Sequence, residues 1–398
     1  MSRKILVVNA GSSSIKLQLF EKDTLQPIAS GLTERITLPD GIIRIKFAGK
    51  VYEEFPALPN HAVAVAKTLA LMKKINLIAR PEEIEVVGFR VVHGGTYFKE
   101  SIVLNDDAIE KIEKCVVYAP LHNPGALQAI RAFQQEMPKA VLTATFDTSF
   151  HNTIPDINAI YPIPFDLTEK HKIRKYGFHG ISHNFIRNKV RELVGKDKVN
   201  VINLHIGSGA SICVIKDGVS FDTSMGLTPL AGIMMGTRSG DIDPSIIHFL
   251  CKEEGLSVGE VTDLLNKKSG LLGVSQLSND SRDILAAIAQ GNKQAKFAND
   301  LYVQKIVDYV ANYANKLENK IDAIVFTAGV GENSKELREE VISKLHFTHL
   351  ELDPEKNEEK YTDFKLISTP NSKVPIFAIR TNEELLIAQY AKALVNKK

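Results

Sequence analysis

Ile5-Leu-Val-Val-Asn-Ala-Gly-Ser-Ser-Ser-Ile-Lys-Leu-Gln-Leu-Phe20 is the stretch on which the fold turns. Ile5 to Val8 is an uninterrupted apolar run of strand length, and Ile15 to Phe20 alternates as a neighbouring strand would, with the polar turn Asn9 to Ser14 between them. This predicts a hairpin with a tip of small residues. A similar unit recurs about half a chain later: residues 199–206, then Gly207-Ser-Gly-Ala-Ser211, then residues 212–215 and the turn Lys216-Asp217-Gly218. A third runs from the strand 321–326 through the glycine turn Thr327-Ala-Gly-Val-Gly-Glu-Asn-Ser334 into a polar helix over 335–345. Repetition of strand, Gly/Ser turn and strand predicts two related halves. Helical stretches at 60–76, 107–117 and 293–317 alternate with short strands at 86–92 and 140–146, so the layering is mixed α/β. No low-complexity linker separates the halves, and a boundary near 147–155 rests on the spacing of the repeat alone.

The 398 residues suffice for two or three domains with substantial cores. With 44% hydrophobic and 24% charged residues, the composition excludes disordered and fibrous classes. A formal net charge of only +2 lacks the electropositive excess of a nucleic-acid binder, so an anionic partner is held locally by a few basic residues. Cys115, Cys213 and Cys251 are odd in number, far apart and without metal-ligand spacing, which points to a reducing compartment. The apolar run after Arg3 and Lys4 is too short for a secretion signal, and the longest apolar stretch, 226–236, falls short of the roughly 18 residues of a membrane span. A soluble, cytoplasmic protein is expected.

Turns of small residues leave backbone N–H groups free to surround an anion, and Lys16 adds charge beside the first. One such turn is also what a tight hairpin needs; three in one chain favour phosphate. Neither a P-loop ending in Gly-Lys-Ser/Thr nor a Gly-x-Gly-x-x-Gly motif opening a helix is present in these loops, so an actin-like nucleotide cleft fits better. Arg90 lies within an apolar strand, and Arg238 lies among glycines near Asp241 and Asp243. Each needs a carboxylate or a phosphate, supplied either by a ligand or by an internal ion pair. His93, His122, His151, His179, His183 and His205 form a histidine-rich set, and the i, i+4 pair His179 and His183 would share a helix face. Without a third ligand pattern, this argues against zinc. His179, on a loop after Tyr176-Gly177-Phe178, is either a donor to a transferring phosphoryl group or a satisfied core histidine. Asp147, ending a strand before Thr148, is either an acidic cleft residue or a cap.

Asn9-Ala-Gly-Ser-Ser-Ser-Ile-Lys16, Arg90-Val-Val-His-Gly-Gly95, Pro120-Leu-His-Asn-Pro124, Phe146-Asp-Thr-Ser-Phe-His151, Tyr176-Gly-Phe-His-Gly-Ile-Ser-His183, Met235-Gly-Thr-Arg-Ser-Gly-Asp241 and Phe326-Thr-Ala-Gly-Val-Gly-Glu-Asn-Ser334 together resemble the acetate kinases, in order and over essentially the whole chain. That family belongs to the sugar kinase, heat-shock chaperone and actin superfamily. The resemblance implies duplicated actin-like (ribonuclease H-like) α/β domains around a central nucleotide cleft: 1–150 completed by 384–398, and a nucleotide-binding domain 151–383. It implies reversible phosphoryl transfer between ATP and acetate giving ADP and acetyl phosphate, in a homodimer requiring Mg2+ or Mn2+, with no nucleic-acid or membrane partner.

By position, the resemblance makes Arg90, Asp147, His179 and Arg238 catalytic, with Arg90 also binding substrate. Val92, Leu121, Phe178 and Pro229 would line the methyl pocket. Ser12, Lys16, His205, Ile206, Gly207, Ser208, Gly209, Asp280, Ser281, Arg282, Gly329, Val330, Gly331, Glu332 and Asn333 would bind nucleotide, and Asn9 and Glu383 the metal. Two departures stand out: Ser208 and Ala126 occupy positions where the family usually carries Asn. Ser208 retains a donor of shorter reach. The same fold also serves propionate and butyrate kinases. A nucleotide-driven chaperone or filament protein would need an appended peptide-binding or filament segment, and none is visible in the sequence.

Overall fold

A computed structural model describes residues 3–120 and 122–396. The chain divides into two compact units, 1–150 with 382–398, and 151–381. The first holds β1 (Lys4–Ala10), β2 (Ser14–Glu21), β3 (Pro27–Glu34), β4 (Ile42–Phe47), β5 (Lys50–Glu54), α1 (His61–Lys74), β6 (Ile84–Val91), β7 (Ile102–Val103), α2 (Asp106–Lys114), α3 (Asn123–Glu136) and β8 (Val141–Phe146). The second holds α4 (Asp156–Ala159), α5 (Phe165–His171), α6 (Gly180–Val194), β9 (Val201–Ile206), β10 (Ala210–Lys216), β11 (Val219–Thr223), α7 (Ser245–Glu253), α8 (Val258–Lys267), α9 (Gly270–Ser275), α10 (Ser281–Ala289), α11 (Lys293–Lys316), β12 (Ala323–Thr327), α12 (Ala328–Asn333), α13 (Lys335–Ser343), α14 (Pro354–Glu358), β13 (Phe364–Leu366) and β14 (Ile376–Ile379). The chain then returns to the first unit as α15 (Glu383–Asn396).

The sheet orders are β5-β4-β3-β2-β1-β6-β8-β7 and β11-β10-β9-β12-β14-β13. In the first unit β3, β2 and β1 run antiparallel, and β6 and β8 continue parallel to β1. In the second, β11, β10 and β9 are antiparallel, and β12 and β14 continue parallel to β9. The two sheets thus share one topology. The predicted hairpin forms, with Ile5 paired to Phe20 and Asn9 to Lys16. Ile5, Leu6, Val7 and Val8 are all buried, as a central strand covered on both faces requires.

One element differs from its sequence reading. The glycine turn expected at 327–334 is the short helix α12, because the Glu332 carboxylate folds back onto the Ala328 N–H at 2.9 Å and closes the first turn. The packing of α15 is set by Gly88 in β6, where a Cβ would lie 2.9 Å from Ile387. This close approach brings Glu383, one turn earlier on α15, toward the end of β6.

Candidate functional site

In the first unit, the carboxyl ends of three parallel strands gather polar groups, the usual place for ligands on such sheets. Asn9 lies on β1 one step beyond the Val8–Phe89 pairing, Arg90 lies on β6, and Asp147 immediately follows β8. Arg90 Nε donates to Asp147 Oδ1 at 2.9 Å and Nη2 to Oδ2 at 2.6 Å, a bidentate pair, while Glu383 Oε2 lies 3.7 Å from Nε. The internal ion pair left open for Arg90 is therefore formed. Burial opposes the Arg90 charge, but Asp147 and Glu383 outweigh it and raise its pKa. Asp147 is 1% exposed, with its own N–H donated to Val91 O at 3.0 Å.

Burial pushes the Glu383 carboxyl up to about 7, and Asp147 and Glu384 add to the rise against the opposing charges of Arg90 and Lys16. Lys16 is exposed on β2 opposite Asn9, and Ser12 is exposed at the hairpin tip. The half-buried side chain of Asn9 makes no hydrogen bond among the described residues. Val92 is half-buried just past β6; Leu121 lies outside the described residues.

In the second unit, His179 is the residue before α6, with φ 54°, a left-handed conformation that costs a non-glycine residue of order 1 kcal/mol. The preceding loop is pressed against its surroundings: at Gly177, φ 74°, a Cβ would lie 2.7 Å from the His151 ring. His179 precedes α6 and His183 lies in its first turn, so the pair is not carried on one helix as the spacing suggested; His179 Nδ1 and His183 Nε2 both meet Ser211 Oγ, each at 2.9 Å. The His179 and His205 rings stack at 4.1 Å. A Cβ built on Gly209 would lie 3.4 Å from Arg238 Nη1 and 3.7 Å from His179 Nε2, so the Gly207–Gly209 turn, the guanidinium and the imidazole converge on one place.

Arg238 differs from Arg90. Its Nη1 donates to Pro229 O at 3.2 Å and lies 3.9 Å from Met235 Sδ, and among the described residues no carboxylate pairs with it. Asp241 accepts from Gly232 N at 2.8 Å and from the Tyr309 hydroxyl, and Asp243 accepts from Ser245 N at 2.8 Å, so both nearby acids are committed elsewhere. Burial lowers the Arg238 pKa. Pro229 is half-buried beside it, whereas Phe178 is 2% exposed and its carbonyl accepts from His151 Nε2 at 2.9 Å.

A cavity of about 470 Å³ in the same unit is lined by Gly207, Ser208, Asp280, Ser281, Arg282, Gly329, Val330 and Asn333. Three segments distant in sequence are thus brought together. Hydrogen bonds from Arg282 push the Asp280 carboxyl down to about 2. The remaining residues of these segments have other surroundings: the Ile206 side chain is fully buried, and Glu332 Oε1 accepts from the Ala328 and Thr381 N–H groups at 2.9 and 3.1 Å. Gly236, Asn279, Leu285 and Tyr302 also line the cavity and escaped the sequence reading. So did Asn203, a polar interruption in the strand Val201-Ile-Asn-Leu204, which was the one available signal.

Two mixed sheets of shared topology, with polar groups at the carboxyl ends of their parallel strands, define the class: the duplicated actin-like α/β fold. The acetokinase family model matches residues 4–389, and the chain belongs to that family. It is 56% identical over 391 residues to an acetate kinase of Mycoplasmopsis pulmonis, covering 98% of this chain and 99% of the relative. It is 51% identical to an acetate kinase of Mesoplasma florum, over 97% and 98% of the two chains. Among solved structures, Porphyromonas gingivalis acetate kinase superposes with a TM-score of 0.93 at 40% identity, over 99% and 100% of the chains. A propionate kinase from Francisella tularensis gives 0.92 at 42%, over 98% and 100%.

Proposed function

We propose that the protein is an acetate kinase, transferring a phosphoryl group reversibly between ATP and acetate by direct in-line displacement. The observation that carries this is Arg238: a half-buried guanidinium without a carboxylate partner among the described residues, beside His179 Nε2 and a glycine turn, is built to meet an anion. An acetate oxygen attacks the γ-phosphorus, the bond to the β–γ bridging oxygen breaks, and ADP leaves with that electron pair. Acetate resembles a carboxylate side chain of reference pKa about 4.3, so it arrives ionised and no general base is required. Asp147 then orients Arg90 through their bidentate pair and does not accept a proton. Arg90 holds the acetate carboxylate; Arg238 and His179 stabilise charge on the equatorial oxygens. The family resemblance assigns the methyl group to Val92, Leu121, Phe178 and Pro229. Gly207–Gly209, 280–282 and 329–333 hold the nucleotide, and the same resemblance adds Ser12 and Lys16 to the residues that meet it.

The residues present fit a divalent cation. Asn9 offers an unpartnered amide oxygen, and Glu383 offers a half-buried carboxylate in the same unit, whose pKa burial pushes up to about 7. Such a site, with one carboxylate and the rest supplied by water and phosphate, suits Mg2+ better than an all-protein cage. Asn9 and Glu383 would hold the ion, which neutralises the polyphosphate when bound. We assign the protein to the cytoplasm as a homodimer without a nucleic-acid partner. The net charge of +2 and the exposed apolar side chains of Ile157, Phe165 and Phe249 support this, and no described helix is long and apolar enough to cross a membrane.

Hydroxamate formation from ATP, Mg2+, hydroxylamine and a panel of carboxylates tests the assignment. Acetate is expected to give the highest kcat/KM. A higher value for propionate, whose extra methylene is worth about 1–3 kcal/mol in a fitted pocket, would move the protein to the propionate kinases, and no product with any acid would exclude kinase activity.

A further inference from the structure

Behind His179, the second unit contains a column of buried polar side chains that the mechanism above does not use. Asn203 on β9, His183 on α6 and Ser211 on β10 are each completely buried. They form one continuous hydrogen-bonded series: Asn203 Nδ2 to His183 Nδ1 at 2.8 Å, His183 Nε2 to Ser211 Oγ at 2.9 Å, and Ser211 Oγ to His179 Nδ1 at 2.9 Å. Two imidazoles and a hydroxyl in series pass on a direction, because each has one proton to give when neutral.

The direction is set at the asparagine. An amide NH2 can only donate, so His183 Nδ1 accepts and its proton resides on Nε2. That proton is donated to Ser211 Oγ, whose single hydroxyl proton is then donated to His179 Nδ1. The His179 proton is left on Nε2, the atom that faces Gly209 and Arg238. Turning the Asn203 amide over would reverse the series. It would also leave both amide N–H groups unmet, where the arrangement shown leaves one N–H and the oxygen unmet, and an orphaned buried N–H is rarer than an under-satisfied carbonyl oxygen. Burial, with His151 and His205 close by, holds the His183 pKa well below its ordinary value, so the ring stays neutral and its tautomer is defined.

We propose that Asn203 and His183 are positioning residues that fix His179 as the Nε2–H tautomer, so that it presents a donor and not a lone pair to the transferring phosphoryl oxygens. This rests on the assignment of His179 to the phosphoryl site. A lone pair there would repel the oxyanion. In a serine-protease triad, the wrong histidine tautomer lowers kcat by about 10⁴.

Long-range 1H–15N correlation spectra of histidine-labelled protein, with His179 assigned through a His179→Gln variant, read the tautomer directly in the free enzyme. The expected pattern is a protonated Nε2 and a bare Nδ1; the opposite pattern overturns the proposal. In Asn203→Asp the carboxylate only accepts, so the series reverses. His179 is then expected to carry Nδ1–H, with kcat down by about 10²-fold or more and the KM values within about twofold. An unchanged tautomer overturns the proposal. If Asn203→Asp does not fold, Ser211→Ala breaks the series without adding charge: mixed His179 tautomers and a smaller fall in kcat are expected, and a single unchanged tautomer refutes the relay. The spectra do not depend on which acid is phosphorylated. An inactive enzyme with the expected tautomer would therefore sink the kinase assignment and leave the relay standing.

Discussion

Arg90 and Arg238 carry the same charge and were expected to meet the same substrates, yet the two units surround them oppositely. Arg90 is clasped by Asp147 through two hydrogen bonds and lies 3.7 Å from Glu383. Arg238 has a backbone carbonyl and a thioether sulfur. A guanidinium held by carboxylates contributes to the fold, and a ligand must compete with or join that arrangement. One half-buried without an acid is a liability until an anion arrives, because partial burial already disfavours its charge. The first unit thus offers an oriented, permanently compensated cation, suited to a weakly held carboxylate. The second offers an uncompensated one, suited to the charge that builds on a phosphoryl group.

Substituting each arginine by alanine tests that contrast most strongly. Arg90→Ala leaves Asp147 and Glu383 facing one another without a cation. The first unit should lose about 3–5 kcal/mol of stability, as when one partner of a buried pair is removed. Chemical denaturation followed by a probe in that unit would measure it, and an unshifted midpoint would mean that the pair is not stabilising. Arg238→Ala should do the reverse. Its denaturation midpoint should hold or rise, while kcat for acetyl phosphate synthesis falls by about 3–4 kcal/mol in barrier terms, the cost of losing a strong transition-state donor. If both variants lose stability equally, the contrast between the units is not real.

Asp147→Asn sharpens the comparison with a smaller step. It keeps the shape and one acceptor but removes the charge that orients Arg90, so kcat/KM for acetate should fall by about 1.5–3 kcal/mol, the worth of a hydrogen bond to a charged group. Since acetate needs no deprotonation, the shape of the pH–rate profile should survive. Near-normal turnover would remove any essential role, and loss of one limb of the profile would restore proton transfer.

The fold was legible because its signals are local: the run Ile5 to Val8, its alternating partner and the small-residue turn, repeated at Val201 to Lys216, force two similar hairpins wherever they occur. Arg90 and Arg238 were visible for the same reason, as charges in apolar or glycine-rich company. Their opposite environments were not, because Asp147 and Glu383 reach Arg90 from a strand end and a helix far along the chain. Sequence proximity pointed the wrong way for Arg238, whose neighbours Asp241 and Asp243 are taken up by backbone N–H groups and Tyr309. The glycine stretch after β12 read as a turn because the contact that makes it helical comes from Glu332 folding back onto Ala328. His183 was legible only as the i, i+4 partner of His179 and Ser211 only as the end of a glycine turn; their hydrogen bond to each other comes from the packing of α6 against the sheet.

Tyr302 extends the contrast from charge to a neutral group and gives the smallest expected effect. On helix α11 its spacing is that of a core aromatic, and it is 3% exposed, yet it lines the cavity shared by Ser208, Asp280–Arg282 and Gly329. Its hydroxyl makes no hydrogen bond among the described residues, and burial raises its pKa. A buried hydroxyl facing an open cavity is, like Arg238, a group whose partner is expected from outside the protein. Tyr302→Phe should leave the melting temperature and kcat in place and raise the KM for ATP by the worth of one neutral hydrogen bond, about 0.5–1.5 kcal/mol. Running the same variant with ATP and GTP separates the atoms involved: a changed ratio of the two KM values places the hydroxyl on the base, and an equal rise places it on the ribose or phosphates. An unchanged KM for both would show that the hydroxyl serves the protein alone, and that an unpartnered group in this unit does not by itself mark a ligand.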